Sequence, residues 1–292
     1  MTVRVQSWDE QLRLVVEAAF ASPEHWTVAQ GRQGWRIATD GEFWSRCLVL
    51  FDDDEPVAVA AAFHPRLHAS AEWADIEVPL PRRRQGWGRR GLAAILEALP
   101  AGAGPLRAKV ATGSPAAAMA EHVGLKPIQR TRQFRVDVPS DLPGALATEY
   151  PRDDRAAIHA WRDWYIAGHA WDPPQPQPEK FWADMAADTR HVIGVTDRHG
   201  LAGIGHLYID GGETWFVGGA LDRASPAATS IAAGLLRSAR RLVGDRLQVE
   251  LDDWMTDVVS VIHTLDHVVL DEALIVTGHP AREHDHESPA DS

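Results

Sequence analysis

Five arginines and two glycines lie within the segment from Arg82 to Arg90, three residues after the strand-like run from Trp73 to Val78. The segment reads Arg-Arg-Arg-Gln-Gly-Trp-Gly-Arg-Arg, and helical patterning begins within it. The first amides of a helix have no partner inside the helix, the helix dipole is positive there, and glycines let an anion approach the backbone closely. Arginine side chains add charge-assisted hydrogen bonds to phosphate oxygens. The segment therefore predicts a binding site for a phosphorylated ligand.

The rest of the chain carries an acidic excess, with a formal net charge of −12 over 292 residues. Because nucleic acid is held mainly by Lys and Arg, this charge argues against a nucleic-acid partner. No run approaches the ~18 apolar residues that a membrane span needs. Residues 1–20 place charges inside their apolar run, which is not typical of a secretory signal. We expect a cytoplasmic protein without a membrane partner.

The cysteine, histidine and serine patterns argue against three other kinds of site. Cys47 is the single cysteine, so neither an internal disulfide nor a multi-cysteine metal site can form, and its mid-strand position predicts a buried small hydrophobe. The fourteen histidines include no His-x-x-x-His pair on a segment with helical spacing, and we expect no metal. The Gly-x-Ser-x-Gly motif of many serine hydrolases is absent.

The apolar patterning of the first half predicts the elements that position the arginine- and glycine-rich segment. Their order is a helix, a hairpin, a strand, the segment itself, a helix, a strand, a helix and a strand. The corresponding ranges are 8–21, 47–51 with 56–63, 73–78, 88–99, 106–111, 114–124 and 133–138.

The second half repeats this order after a stretch with linker composition. We predict a domain at 1–138, a linker at 139–150, a second domain at 151–278 and a disordered polar tail at 279–292. Where the second domain should carry its own phosphate loop, it has Asp222-Arg-Ala-Ser-Pro226. The Asp222 carboxylate would repel phosphate, and Pro226 removes an amide. We therefore expect two domains with mixed α/β sheets, of which the second lacks the ligand site.

The run Arg83-Arg-Gln-Gly86-Trp-Gly88 resembles the acetyl-CoA-binding signature of the GNAT superfamily of N-acetyltransferases, (Arg/Gln)-x-x-Gly-x-(Gly/Ala). Its placement between a strand and a helix agrees, and Gly124-Leu125 resembles the Gly-Phe that ends the next helix in this family. The resemblance covers residues 3–138. It implies two GNAT-like acyl-CoA N-acyltransferase domains in tandem, the second degenerate.

The resemblance also implies which residues bind acetyl-CoA. The pantetheine would lie along the strand near its end, and the diphosphate would lie on the amides of the loop and helix start. A hydroxyl at the start of the next helix, Ser114, stands where the family often has asparagine, although it could equally cap that helix. The implied residues are Ile76, Glu77, Val78, Arg83, Arg84, Gln85, Gly86, Trp87, Gly88, Arg89 and Ser114.

The catalytic groups implied by the resemblance are only partly present. Glu72 matches a strand glutamate that some members use as general base, and its alternative is a solvated carboxylate at a strand end. The family's helix tyrosine, which protonates the departing thiolate, corresponds to Ala120. His122 lies about 200° further around that helix and does not replace it. The acid is then a water, a residue of the other half, or absent.

Three residues of the second half are candidates for binding an acceptor amine: Trp171, Asp252 and Asp253. For either aspartate the alternative is capping of the following helix. The spacing of Trp161, Trp164 and Tyr165 is more typical of a core stripe than of a pocket.

The resemblance implies an acyltransferase, active as a monomer or homodimer, that moves acetyl from acetyl-CoA to a primary amine of a small molecule by direct transfer in a ternary complex. One alternative is a catalytically silent acyl-CoA-binding sensor or interaction module. Another is a nucleotide- or phosphosugar-binding protein.

Overall fold

A computed structural model describes residues 3–20, 25–210 and 212–280. The chain forms two compact units, Met1–Ile128 together with Ala273–Ser292, and Gln129–Glu272. No helix in the described part of the chain is long and apolar enough to cross a membrane. Of the predicted polar tail, residues 281–292 lie outside the described residues.

Unit 1 consists of a twisted mixed sheet with helices on both faces. The strand order is β1-β2-β3-β4-β5, followed by the last six residues of β12, and β4 with β5 is the parallel pair. Its elements are β1 (Val3–Ser7), α1 (Glu10–Ala19), α2 (Trp26–Gly31), β2 (Ser45–Asp52), β3 (Glu55–Phe63), β4 (Glu72–Glu77), α3 (Trp87–Ala98), β5 (Leu106–Ala111) and α4 (Pro115–His122), with β12 at Asp266–Gly278.

Side chains alternate across this sheet and build one core on each face. On the face of α1, Val16 and Phe20 pack against Cys47 and Ala61. On the other face, Leu92 and Ile95 of α3 belong to a core that includes alanines of β3 and β4. Cys47 is buried, as the sequence predicts, and burial raises the pKa of its thiol to about 12.

Unit 2 has the same order of elements. Its strand order is β6-β11-β10-β9-β8-β7, and β10 with β11 is the parallel pair. The elements are β6 (Lys126–Asp137), which begins in unit 1, β7 (Thr148–Tyr150), α5 (Arg155–Gly168), α6 (Glu179–Ala187), β8 (His191–Asp197), β9 (Gly200–Asp210), β10 (Glu213–Ala220), α7 (Ala228–Val243), β11 (Arg246–Asp252), α8 (Thr256–Ile262) and the first residues of β12. The repeated α/β order that the sequence predicts is therefore present.

The units differ from the predicted ranges 1–138 and 151–278 at their closing strands. β6 follows α4 in the chain, yet Thr131–Asp137 pairs with β11 of unit 2. β12 follows α8, yet Ala273–Gly278 pairs with β5 of unit 1. Each sheet is thus completed by a strand that the other half of the sequence encodes. Alternating patterning identifies a strand but not its partner, so the sequence could not show this exchange. The predicted linker 139–150 also contains β7.

The parallel strands of unit 1 diverge soon after they meet. β4 and β5 pair only at Glu72 with Leu106 and at Trp73 with Arg107. Over the rest of its length β5 pairs with β12, and β4 pairs with β3. An opening therefore lies between the carboxyl-terminal halves of β4 and β5. The loop from β4 to α3 starts at this same end of the sheet.

Candidate functional site

Helix α3 begins without a cap. Its N-cap residue, Gly86, has φ of 84°, and no side chain bonds to the first turn. Within the described part of the chain, no protein acceptor takes the amides of Gly86, Trp87 or Gly88. Free amides and the positive end of the helix dipole together form an anion-binding site. The arrangement predicted for this segment is therefore present.

The loop before α3 has an unusual backbone. Arg84 adopts φ of 63° and Gly86 adopts φ of 84°. A left-handed conformation costs a non-glycine residue about 1–2 kcal/mol. Such alternating conformations turn successive N–H groups toward one concavity, which suits an anion. A Cβ placed on Gly86 would meet no atom within 4 Å, so the concavity opens on free space.

The five arginines of this segment have different roles. Arg82 forms ion pairs with Asp52 and Glu55 at the β2–β3 turn. Arg83 donates from Nε to the carbonyl oxygen of Val78 at 3.1 Å, which ties the loop to the end of β4. The exposed cations beside the free amides are Arg84, Arg89 and Arg90, of which Arg89 contacts His122 and Arg90 covers the Trp87 ring.

The edge of β4 offers main-chain groups to the opening. The Glu72 N–H donates to the carbonyl oxygen of Pro105 at 2.8 Å. Because main-chain groups alternate in direction along a strand, the even-numbered residues of β4 turn theirs toward β5. Pairing ends at Trp73, which leaves the main chain of Ile76 beside the opening. Glu77, in contrast, turns its main chain toward β3, and its side chain bonds to Arg32. Of the three predicted strand residues, Ile76 has the required orientation within β4. Val78 lies beyond the end of β4, and its carbonyl oxygen accepts from Arg83.

Close packing fixes the position of α3. A Cβ on Gly91 would lie 3.1 Å from Cγ2 of Ile76, and one on Gly88 would lie 3.0 Å from Sδ of Met119 in α4. The Trp87 side chain is buried against β2 and β3, so it anchors the helix start, and its amide is what remains for a ligand. These glycines let α3 lie directly against β4 and α4.

Two residues singled out in the sequence belong to α4: Ser114 precedes its first turn, and Ala120 lies within it. The Ser114 hydroxyl is the N-cap of α4 and accepts from the Ala117 amide at 3.1 Å, which is the capping alternative. Ala120 is buried and packs in a cluster with Val110 and Leu125.

The carboxylate of Glu72 is bound by protein groups. Its Oε2 lies 2.9 Å from Nδ1 of His64, and its Oε1 accepts from the Gly104 amide at 3.0 Å. Glu72 is buried where β4 and β5 are still paired, below the opening. The alternative that Glu72 is a solvated carboxylate is therefore wrong. The role of Glu72 as general base stays a prediction.

A second carboxylate, Asp75, was not among the predicted site residues. Its Oδ2 is buried and has no hydrogen-bond partner in the described part of the chain. Burial, together with the nearby Glu77 carboxylate, raises the pKa of Asp75 to about 7. The signal in the sequence is an acidic residue in the middle of a strand, on the face opposite Glu72.

Comparisons with known proteins identify the fold. No protein-family model matches the chain, and no curated protein sequence matches it. Among solved structures, a GCN5-related N-acetyltransferase from Sphaerobacter thermophilus is similar, with 15% identity, a TM-score of 0.62, and coverage of 96% of this chain and 97% of that one. A tandem GNAT protein from the clavulanic acid biosynthesis pathway has 16% identity, a TM-score of 0.59, and coverage of 96% and 100%. A GNAT-family acetyltransferase from Colwellia psychrerythraea has 7% identity, a TM-score of 0.58, and coverage of 94% and 98%.

This chain has the tandem GNAT fold. The predicted fold class, two GNAT-like domains with mixed α/β sheets in tandem, is confirmed. At these identities the similarity establishes the fold alone.

In unit 2, protein groups bond to the amides at the positions that correspond to the anion-binding site of unit 1. β10 and β11 pair at Trp215 and Phe216 and then diverge, as in unit 1. Oδ2 of Asp257 accepts from the Ala220 amide at 2.7 Å within that opening. In the loop before α7, the Ala224 amide donates to the side chain of Asp222. The Ala227 amide likewise donates to a serine hydroxyl of that loop. This self-bonding supports the expectation that the second unit has no coenzyme site.

The predicted acceptor residues lie in unit 2 and bond to other groups of that unit. Trp171 donates from Nε1 to Gln129 at 2.7 Å. Asp252 accepts from the Thr131 hydroxyl at 2.7 Å, and Asp253 accepts from the Arg130 amide at 3.4 Å. Neither aspartate caps α8, whose N-cap is Met255, so the capping alternative is wrong.

The aromatic stripe of unit 2 belongs to its core, as its spacing predicts. Trp161 and Trp164 are buried, and their ring centroids lie 4.8 Å apart. No three His, Cys, Asp or Glu side chains among the described residues of the chain gather closely enough to hold a metal ion.

Proposed function

We propose that this protein is an N-acetyltransferase that moves an acetyl group from acetyl-CoA to a primary amine of a small molecule by direct transfer in a ternary complex. One observation carries the proposal: the uncapped start of α3, with its free amides, lies at the end of the sheet where β4 and β5 diverge. The free amides suit the diphosphate of a coenzyme, and the strand edge beside them suits its extended, amide-bearing arm.

The residues of unit 1 suit acetyl-CoA. The amides of Gly86, Trp87 and Gly88 would hold the diphosphate, with Arg84 and Arg89 adding charge. The edge of β4 at Ile76 would bond to the pantetheine amides, as an added strand does. When bound, acetyl-CoA supplies an acetyl group that is activated as a thioester. The role of the chain is then to bind this donor, to orient the amine and to accept its proton.

The cover over the opening supports a small acceptor. Helix α2 lies on the face opposite α3 and is attached to both diverging strands. Arg32, which follows α2, donates from Nε to Oε2 of Glu77 on β4 at 2.8 Å. On β5, Nζ of Lys109 lies 3.9 Å from the ring centroid of Trp26. A helix held in this way leaves room for a small amine more readily than for a polypeptide segment.

Ala120 favours a second candidate function, a catalytically silent acyl-CoA-binding sensor. The position that carries the family's thiolate acid holds a buried methyl group, which cannot donate a proton. Both candidates require coenzyme binding and differ in turnover.

Binding and turnover measurements test these proposals together. Calorimetry with CoA and with ADP would measure affinity, and release of free CoA would report turnover with a panel of amines. Tight CoA binding with release supports the enzyme, and tight binding without release from any amine supports the sensor. Equal affinity for CoA and ADP would contradict both and favour a nucleotide-binding protein.

The substitution Gly86→Asp tests the site. It places bulk and negative charge where phosphate should bind, and it should abolish CoA binding. The matched control is Gly102→Asp, because Gly102 has the same φ of 84° and equally open surroundings but lies after α3. Similar losses of CoA affinity in both variants would contradict the assignment of the anion-binding site to the start of α3.

A further inference from the structure

Asp75 lies on the face of β4 that α2 covers, opposite the face that packs on α3. It pairs with Ala61, which belongs to the core under α1, whereas its neighbour Ile76 faces Gly91 of α3. β5 no longer pairs with β4 beyond Trp73. Asp75 is therefore beside the opening, where a group that enters from the α3 side would emerge.

The surroundings of the Asp75 carboxyl group leave it without a fixed partner. It packs directly against Gly31 of α2, where no larger residue could stand. Three charged or ionisable groups lie near it: Arg32 and Glu77, which bond to each other, and the Cys47 thiol of β2. Lys109 of β5 contacts Trp26 of α2.

A buried oxygen without a hydrogen bond destabilises a fold because its lost hydration is not replaced. Oδ2 of Asp75 is such an atom among the described residues, while the residue as a whole keeps part of its surface exposed. A catalytic role is one explanation for such an atom, and carboxyl groups with a strongly shifted pKa concentrate at functional sites. A cationic amine has the hydrogen-bond donor and the charge that this carboxylate lacks.

We propose that Asp75 is the general base that accepts a proton from the ammonium group of the acceptor. The assignment rests on the proposed N-acetyltransferase function. Glu72 is less suited to this role because His64 and Gly104 already engage its two oxygens.

The ammonium gives one proton to Asp75 and becomes a nucleophilic amine. The N–C bond forms as the thioester C–S bond breaks, and the electron pair of that bond leaves with sulfur. The second nitrogen proton goes to the sulfur, and Asp75 releases its proton to solvent. The products are an amide, a thiol and one proton.

The assignment predicts a specific pH dependence. Burial raises the pKa of Asp75 to about 7, so the fraction of carboxylate falls about tenfold for each pH unit below this value. We expect kcat/KM to fall in the same proportion below about pH 7.

The variant Asp75→Asn tests the assignment with two kinds of amine. An alkylamine is protonated at neutral pH and needs a base, whereas an arylamine is already neutral. We expect the variant to bind CoA with wild-type affinity and to lose about 10²–10³-fold in kcat/KM with the alkylamine. Its acid limb, the fall of kcat/KM toward low pH, should move from about pH 7 to the pKa of the amine, about 10, because only the free amine can then react. The loss with the arylamine should be about tenfold or less.

Asp257→Asn is the matched control, because Asp257 is a buried carboxylate in unit 2 whose pKa burial also raises. It should keep the acid limb. A second variant, Asp75→Ala, should regain activity on addition of formate, which a merely structural role would not produce.

The assignment fails if Asp75→Asn keeps its acid limb at about pH 7 with the alkylamine, or if the activity with both amines falls equally. In those cases wild-type turnover still stands, so the proposed function survives. If the wild-type protein binds CoA but acetylates no amine, the proposed function fails and Asp75 loses its role with it.

Discussion

Replacing Asp75 with asparagine should make the protein more stable at alkaline pH and leave its stability near pH 4 almost unchanged. An isolated aspartate has a pKa of 3.8, and burial beside Glu77 raises the pKa of Asp75 to about 7 in the folded chain. Between these values the folded state holds a proton that the unfolded state has lost. The contribution of Asp75 to the free energy of unfolding therefore falls as pH rises from about 4 to 7, and it reaches its lowest value above pH 7.

The magnitude follows from the separation of the two pKa values. Each unit corresponds to 1.36 kcal/mol, so three units give about 4 kcal/mol as an upper limit. Asp75 keeps part of its surface exposed, and solvent reduces this cost. We expect Asp75→Asn to raise the free energy of unfolding by about 2–4 kcal/mol at pH 8. Asparagine has nearly the same shape, so the packing against Gly31 is retained.

Urea unfolding of the wild type and the variant at several pH values would measure this difference. Hydrogen exchange of amides in β4 would show that the change lies in unit 1. The control is Asp137→Asn, which makes the same change at an exposed carboxylate paired with Arg246 and should give no gain in stability at pH 8. The stability difference for Asp75→Asn could instead be the same at pH 5 and pH 8, or negative at pH 8. Either result would refute the interpretation that Asp75 is a buried carboxylate without a hydrogen-bond partner.

Three further substitutions test other parts of unit 1. Arg84→Ala should weaken CoA binding by about 1.5–3 kcal/mol, measured by calorimetry, whereas Arg82→Ala should have a much smaller effect because Arg82 is already paired with Glu55; equal effects would contradict the division of roles among the arginines. Trp87→Ala should cost about 3–5 kcal/mol in urea unfolding because the ring is fully buried, and a cost below 1 kcal/mol would place the ring outside the core. Glu72→Gln should lower stability by about 1–3 kcal/mol because it removes the charged partner of His64, and unchanged stability would show that this contact contributes nothing.

The arginine- and glycine-rich loop could be located from the sequence because its chemistry is local. An uncapped helix start, a left-handed glycine and nearby cations all follow from residues within one short segment. The same holds for the aromatic stripe of α5, whose helical spacing alone predicts burial of Trp161 and Trp164.

Features that depend on distant residues could not be predicted in this way. Helix α2 has six residues and little periodicity, and nothing in its sequence indicates that it covers the opening between β4 and β5. Without α2 in place, Asp75 looks like any polar residue of a strand. The contact with Gly31 of α2 helps to bury Asp75, and burial together with the nearby Glu77 carboxylate raises its pKa.

The exchanged closing strands have a consequence for synthesis on the ribosome. The Thr277 hydroxyl donates to the carbonyl oxygen of Leu106, a contact that spans 171 residues. At about 5–20 residues per second, β5 is made roughly 10–30 s before its neighbour β12 emerges. During that interval β5 has an unpaired edge, and a strand edge of this kind readily pairs with other chains. The nascent protein must therefore shield β5 until translation of β12 is finished.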